Sequence, residues 1–355
     1  MFRFLFPTTC CFALAASTFA AQAEVLAVVA PETGPFARLG QQVFVGAQRL
    51  ADEKQLDLVR IPESCEAGSG DAISAEIVSA GAVAAIGFLC GESFDGGGGR
   101  LKAAGIPAIS VSVRSKILFE DVAKEDWPIF TLAPHFEDEA EKLTEIIAGD
   151  WQSVPFALID DGTLPARELV EAVRNRLEER GLRPQFVDTF RPGMENQIAL
   201  VRRLQNTGAT HVLFGGDHND AAVIMRDAAS ENIALRLLGG EALNAADQPV
   251  PLADGVQAVL PPQTPLAAQP VIDALGAEGI VAEGYVLPAY AAATIAAQAA
   301  EAAQRAGIPV ASVVQEGRFE TVLGPFAFGP EAPHRNPYLL MEWRDGAFVP
   351  VGETP

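Results

Sequence analysis

Residues 87–100, "GFLCGESFDGGGGR", gather a cysteine, two carboxylates, a hydroxyl and four consecutive glycines. Three chemistries compete for such a set: a serine nucleophile at Ser93, a phosphate cradle in the glycines, or the lip of a binding cleft. A nucleophile elbow requires Gly-x-Ser-x-Gly, and here Asp95 stands where the last glycine belongs. The nucleophile also needs a histidine, and His135, His211, His218 and His334 stand in no recognisable motif. A phosphate loop fails on its own terms, because no lysine directly follows the glycines and Leu101 spoils a Gly-x-Gly-x-x-Gly register. Glu92 and Asp95 would also repel the anion. By elimination the stretch reads as a cleft lip, with no catalytic residue and no cofactor.

The remaining chemistry-bearing residues narrow the setting. Arg3, the apolar run from Phe4 to Phe19 and the Ala21-Gln22-Ala23 exit have the form of a secretory signal peptide spanning 1–23. A membrane anchor is the weaker reading, since the run is short and Pro7 breaks it. Cleavage removes Cys10 and Cys11 and leaves Cys65 and Cys90, which in an exported chain most simply form one disulfide. Closing a loop of about 25 residues stabilises by ~3.5 kcal/mol on the chain-entropy estimate. Two cysteines and four scattered histidines offer no metal-ligand spacing. The formal net charge of −21 argues against a nucleic-acid partner, which would need clustered Lys and Arg.

Positioning such loops is the task of the elements around them. "EVLAVVAP" is a continuous apolar run ended by proline, as expected of a strand buried on both faces. "LDLVRI", "AVAAIGFLC" and "IPAISVSV" are further strands, and after "WPIFTLAP" the rhythm restarts with the helix "FEDEAEKLTEIIAGDW". Strands "VPFALIDD", "QFVDTF", "HVLFGGD" and "LRLLGGE" then alternate with helices, while the tail reads as hairpin strands turning at Asp345-Gly346. The pattern predicts an α/β protein with parallel sheets covered by helices on both faces, and its two series suggest two lobes. Ligands in such sheets bind beyond the carboxyl ends of the strands, where the opening stretch falls. The acid run "EDEAEK" reads as a solvated helix face, Asp160-Asp161 as helix-capping or solvated acids, and the four glycines as slack in the following helix.

"APETGPFARLGQQVFVGAQRLADE" and "SCEAGSGDAISAEIVSAGAVAAIGFLC" resemble the first strand, loop and helix and the disulfide-linked segment of type I periplasmic binding proteins of the branched-chain amino acid transport family. "AGIPAISVSV", "LFGGDHNDAAVIMRDAA", "LLGGEALN" and the tail "GPFAFGP…YLLMEWRDGAFVPV" follow in the family's order. The resemblance implies two Rossmann-like lobes with parallel sheets and a cleft between them, joined by three crossovers, with 24–134 and 262–322 in lobe one and 135–261 and 323–355 in lobe two. It also implies a small-molecule ligand, hinge closure, a monomer in the periplasm and an ABC-type membrane permease as partner. A receptor module of the same fold, reporting occupancy to a sensor, is one alternative, and an exported serine hydrolase using Ser93 is the other.

Residue by residue, the family's ligand set is altered. The hydroxyl after the second cysteine is Gly91, followed by Glu92 and Ser93; the backbone contact falls at Ser112 and the threonine position at Arg114. The tyrosine positions fall on Leu39, Pro165 and Asp217, and only the glutamate, Glu241, is kept. Arg114 is a fork suited to a carboxylate, and Asp217 and Glu241 are anions suited to an ammonium, amidine or hydroxyl cluster. Two alternatives stand beside this: Arg114 pairs with one of those acids across the cleft, or contact slips to Ser110 or Ser115. Tyr285, on the alanine-rich helix, is placed to reach the cleft.

Overall fold

The structure, a computed structural model, describes residues 25–245, 249–262, 265–329 and 336–352. The expected leader at 1–23 and His334 lie outside the described residues. In chain order the first series is β1 (Val25–Ala30), α1 (Ala37–Lys54), β2 (Asp57–Pro62), α2 (Gly70–Ser79), β3 (Ala84–Gly87), α3 (Gly98–Ala104), β4 (Ala108–Ser110), α4 (Lys116–Glu125) and β5 (Ile129–Thr131). Its five strands form one parallel sheet in the order β2-β1-β3-β4-β5.

The second series is α5 (Asp138–Asp150), β6 (Phe156–Asp160), α6 (Leu164–Glu179), β7 (Phe186–Thr189), α7 (Ile198–Thr207), β8 (His211–Gly215), α8 (His218–Ser230), β9 (Arg236–Gly239) and β10 (Gln257–Leu260). The chain then runs through α9 (Gln269–Ala277), α10 (Val286–Ala306), α11 (Val310–Glu316), β11 (Arg318–Thr321) and β12 (Gly324–Ala327), and ends in β13 (Leu339–Arg344) and β14 (Ala347–Pro350). The second sheet has the order β14-β13-β10-β9-β8-β6-β7, parallel except for the antiparallel pairs β10–β13 and β13–β14.

Both sheets are covered on both faces, which is why their strands read as unbroken apolar runs. In β1, Leu26, Val28 and Ala30 pack beneath α1 and α10, while Ala27 and Val29 face α2 and α3. The alanine-rich α10 is buried along most of its length and lies close against α1, where a Cβ on Gly46 would meet the Val286 carbonyl oxygen at 2.0 Å. Among the described residues no helix is long and apolar enough to cross a membrane.

Three local expectations change. The boundary expected between 322 and 323 would divide the β11–β12 hairpin, whose four residue pairs join Arg318–Thr321 to Gly324–Ala327. Phe326 and Phe328 pack on the core of the first sheet with Phe319, so the third passage between sheets comes after β12. α4 was not read from the sequence; it buries no residue fully, its Leu118, Phe119 and Val122 packing part-buried on the core, and Ser115 caps it by accepting from the Leu118 amide at 3.4 Å. The glycine run is fitted, not slack. A Cβ on Gly97 would lie 2.6 Å from the Gly70 carbonyl, and one on Gly98 would lie 2.2 Å from the Trp127 ring, whereas Gly99 has nothing within 4 Å. The tail hairpin turns where expected, with Asp345 and Gly346 both at positive φ.

Candidate functional site

The carboxyl ends of the two sheets meet at Arg114. This residue follows β4; Glu241 follows β9; Tyr338 immediately precedes β13. Because β13 runs antiparallel to β10, its first residues lie at the carboxyl end of β10, with Leu339 opposite Leu260. Arg114 Nη1 donates to the Tyr338 hydroxyl at 2.9 Å and to Glu241 Oε2 at 3.1 Å, and the Tyr338 hydroxyl donates to the same Glu241 oxygen at 2.8 Å. The ion pair is 41% and 37% exposed on its two sides, whereas Tyr338 is 1% exposed. Of the two readings of Arg114, pairing across the cleft is the one the geometry displays.

A fourth group closes the cluster. Glu139, in the first turn of α5, accepts the Glu241 amide at 2.6 Å. Burial and the neighbouring Glu241 push the Glu139 carboxyl above the usual carboxylate range, with the Glu241 amide and Arg114 opposing them. Burial pushes the Tyr338 phenol up, reinforced by Glu241 and Glu139. Burial works against the Arg114 cation, but Tyr338 and Glu241 outweigh it and hold the guanidinium charged. The Tyr285 phenol, raised first by burial, faces Ser112, Glu241 and Arg114. The cluster therefore brings one fixed cation, two carboxylates and two neutral phenols together where the carboxyl ends of the two sheets meet.

The lobe-one lip is built differently. Ser93 is 2% exposed, and its hydroxyl donates to Glu63 Oε1 at 2.6 Å, so no substrate reaches it as a nucleophile and it does not offer that hydroxyl to the cleft. Gly91 and the exposed Glu92 open a short 3₁₀ turn over Gly91–Phe94. Gly91 needs no special conformation: a Cβ there would meet only Val113 Cγ1, at 3.8 Å. Ser112 is half-buried; its amide donates to Ser110 Oγ at 3.2 Å and its hydroxyl to the Leu89 carbonyl at 3.1 Å. Cys65 and Cys90 are joined, with Cα atoms 5.3 Å apart. Glu63, Cys65 and Cys90 are the one grouping among the described residues with metal-ligating atoms close together, and the disulfide uses both of its thiols.

The other expected residues stand apart from this cluster's hydrogen bonds. Asp217 is the N-cap of α8, its Oδ1 accepting the Asp220 amide at 2.9 Å. Pro165 is exposed in the first turn of α6, and Leu39 is half-buried in the first turn of α1. Asp160 and Asp161 bind the Gly162 and Thr163 amides, as acids in such loops do. The reading of "EDEAEK" as a solvated face is corrected at two positions: Asp138 is 1% exposed and accepts the His135 amide, and Glu139 turns toward Glu241.

The sequence model of the periplasmic binding protein family matches residues 25–347. The chain belongs to that family. Its relatives include the leucine-, isoleucine-, valine-, threonine- and alanine-binding protein of Pseudomonas aeruginosa, 23% identical over 94% of this chain and 93% of that one. Solved structures share the fold at low identity. A chain from Rhodospirillum rubrum superposes with a TM-score of 0.78 at 18% identity, covering 93% of this chain and 100% of that one. A solute binding protein of an ABC transporter from Rhodopseudomonas palustris, in complex with p-hydroxybenzoic acid, does so at 0.65 and 14%, covering 93% and 95%.

Proposed function

We propose that this chain is the periplasmic solute-capture component of an ABC-type importer, without catalytic activity. It binds a small polar carboxylate between its lobes as a monomer, and a membrane permease takes up the closed form. The observation that carries this reading is the Arg114–Glu241–Tyr338 contact at the meeting of the two sheets. An ion pair at that place is an internal stand-in for a ligand. An incoming carboxylate takes over the Arg114 fork and the Tyr338 hydroxyl, and a cationic group on the same ligand takes over Glu241. The amino acids and the p-hydroxybenzoic acid named for the two relatives all carry a carboxylate. Fold membership, not these residues, supports hinge closure and the periplasmic setting.

Thermal unfolding against leucine, valine, basic and acidic amino acids, amides and p-hydroxybenzoate tests the reading. A true ligand raises the midpoint by linkage, and Arg114→Ala removes that rise. A midpoint that responds only to carboxylate-free amides, or that responds equally in Arg114→Ala, contradicts it.

A further inference from the structure

Glu63 belongs to none of the motifs that the sequence offers, yet its carboxylate accepts three hydrogen bonds within lobe one. It directly follows β2 and is 5% exposed. Its Oε2 accepts the Leu89 amide at 2.9 Å; its Oε1 accepts the Cys90 amide at 3.1 Å and the Ser93 hydroxyl at 2.6 Å. Its own amide donates to the Ala30 carbonyl at 3.0 Å. One residue thus ties together the carboxyl ends of β1, β2 and β3. The chain it receives leaves β3 through Phe88 at φ +56°, a left-handed conformation that an aromatic L-residue adopts only when its surroundings hold it.

We propose that Glu63 is the positioning residue of the lobe-one lip, setting the orientation of Leu89–Ser93; its relevance to ligand rests on the cleft reading given above. The disulfide restrains only the Cys90 side chain, whereas Glu63 fixes two successive amides and one hydroxyl. The orientation is passed on, because the Leu89 carbonyl receives the Ser112 hydroxyl and Ser112 faces Tyr285. Glutamine is not an equivalent side chain here. With its oxygen on Cys90 and Ser93, its NH₂ confronts the Leu89 amide, donor against donor.

The test is residue-resolved amide exchange in the mature, oxidised chain, comparing wild type, Glu63→Gln and the double variant Cys65→Ala/Cys90→Ala. Glu63→Gln is expected to speed exchange at Leu89 and Cys90 by about tenfold or more, with β6 and β8 unchanged. The double cysteine variant keeps most of the protection. Unchanged rates at Leu89 and Cys90 in Glu63→Gln overturn the proposal, as does equal loss in the cysteine variant. Should Glu63→Gln loosen lobe two as well, Ser93→Ala removes a single donor: a smaller, local rise at Leu89 and Cys90 supports the proposal and no rise overturns it. The same samples, titrated with leucine and with p-hydroxybenzoate, separate the two claims. A wild-type response that weakens in Glu63→Gln ties the lip to ligand. Exchange as expected with no response from wild type leaves the positioning role standing and counts against the cleft reading.

Discussion

The two sheets each present a carboxylate at their carboxyl edges, and the two are held in opposite ways. Glu63 is sealed within one lobe, and all three donors that reach it come from the same loop. Glu241 is more than a third exposed, and its partner Arg114 comes from the other lobe. A sealed carboxylate with its donors around it cannot exchange partners without unfolding its loop. A half-exposed ion pair bridging two bodies exchanges at little cost, since such pairs contribute about 0–1 kcal/mol. The first is suited to shaping a surface and the second to being replaced by a ligand.

That contrast is open to attack by substitution. Glu63→Ala leaves two amides and a hydroxyl without their acceptor, and at about 1 kcal/mol or more each the loss is about 3 kcal/mol in urea unfolding. Arg114→Met lowers stability by no more than ~1 kcal/mol in the same assay. Equal losses would erase the distinction between sealed and exchangeable. Next comes the lip's packing. Gly98→Ala drives a methyl into the Trp127 ring and costs about 1–3 kcal/mol, whereas Gly99→Ala meets open space in a helix and is neutral or stabilising by up to ~1 kcal/mol. Thermal unfolding of the pair decides whether the glycine run is fitted. Tyr338→Phe removes one hydroxyl from a buried side chain, and about 1 kcal/mol is expected in urea unfolding.

The smallest effect is one of pH. Burial, outweighing the hydrogen bonds from Ser93, Leu89 and Cys90, holds the Glu63 carboxyl above the ordinary range. The native state then keeps a proton that the unfolded chain releases near the ordinary value of about 4.3. The stabilisation from that proton is full below this value and is lost as pH rises through the folded pKa. The stability gap between wild type and Glu63→Gln therefore narrows as pH rises from about 4.3 through the folded pKa. Urea midpoints across that range check the sign, and a widening gap would contradict it.

Much of the architecture was legible because its strands are buried on both faces and announce themselves as unbroken apolar runs. Arg114 and Glu241 were also legible, as charges at strand ends, and so was the possibility that they meet. Tyr338 was not, because its place depends on β13 returning antiparallel beside β10, a long-range pairing that local pattern does not carry. Glu139 was hidden within an acidic run whose neighbours are mostly solvated; only its position in the first turn of α5 turns it inward. Glu63 gave no signal, since a single acid after a strand is common and its partners lie more than 25 residues downstream. Asp217 is ambiguous in sequence for the opposite reason: the residue type suits a ligand cation, but an aspartate preceding a helix is also the ordinary N-cap, and it caps α8 here.

In the proposed reading, the Arg114–Glu241–Tyr338 contact biases the ligand-free lobes toward one another until a ligand replaces it. Small-angle X-ray scattering of the ligand-free chain, wild type against Arg114→Met, addresses it directly. The account predicts a larger radius of gyration for the variant, as the lobes swing apart without their bridging cation. Superimposable scattering curves, with both chains folded, would show that the contact does not hold the lobes and would contradict the account.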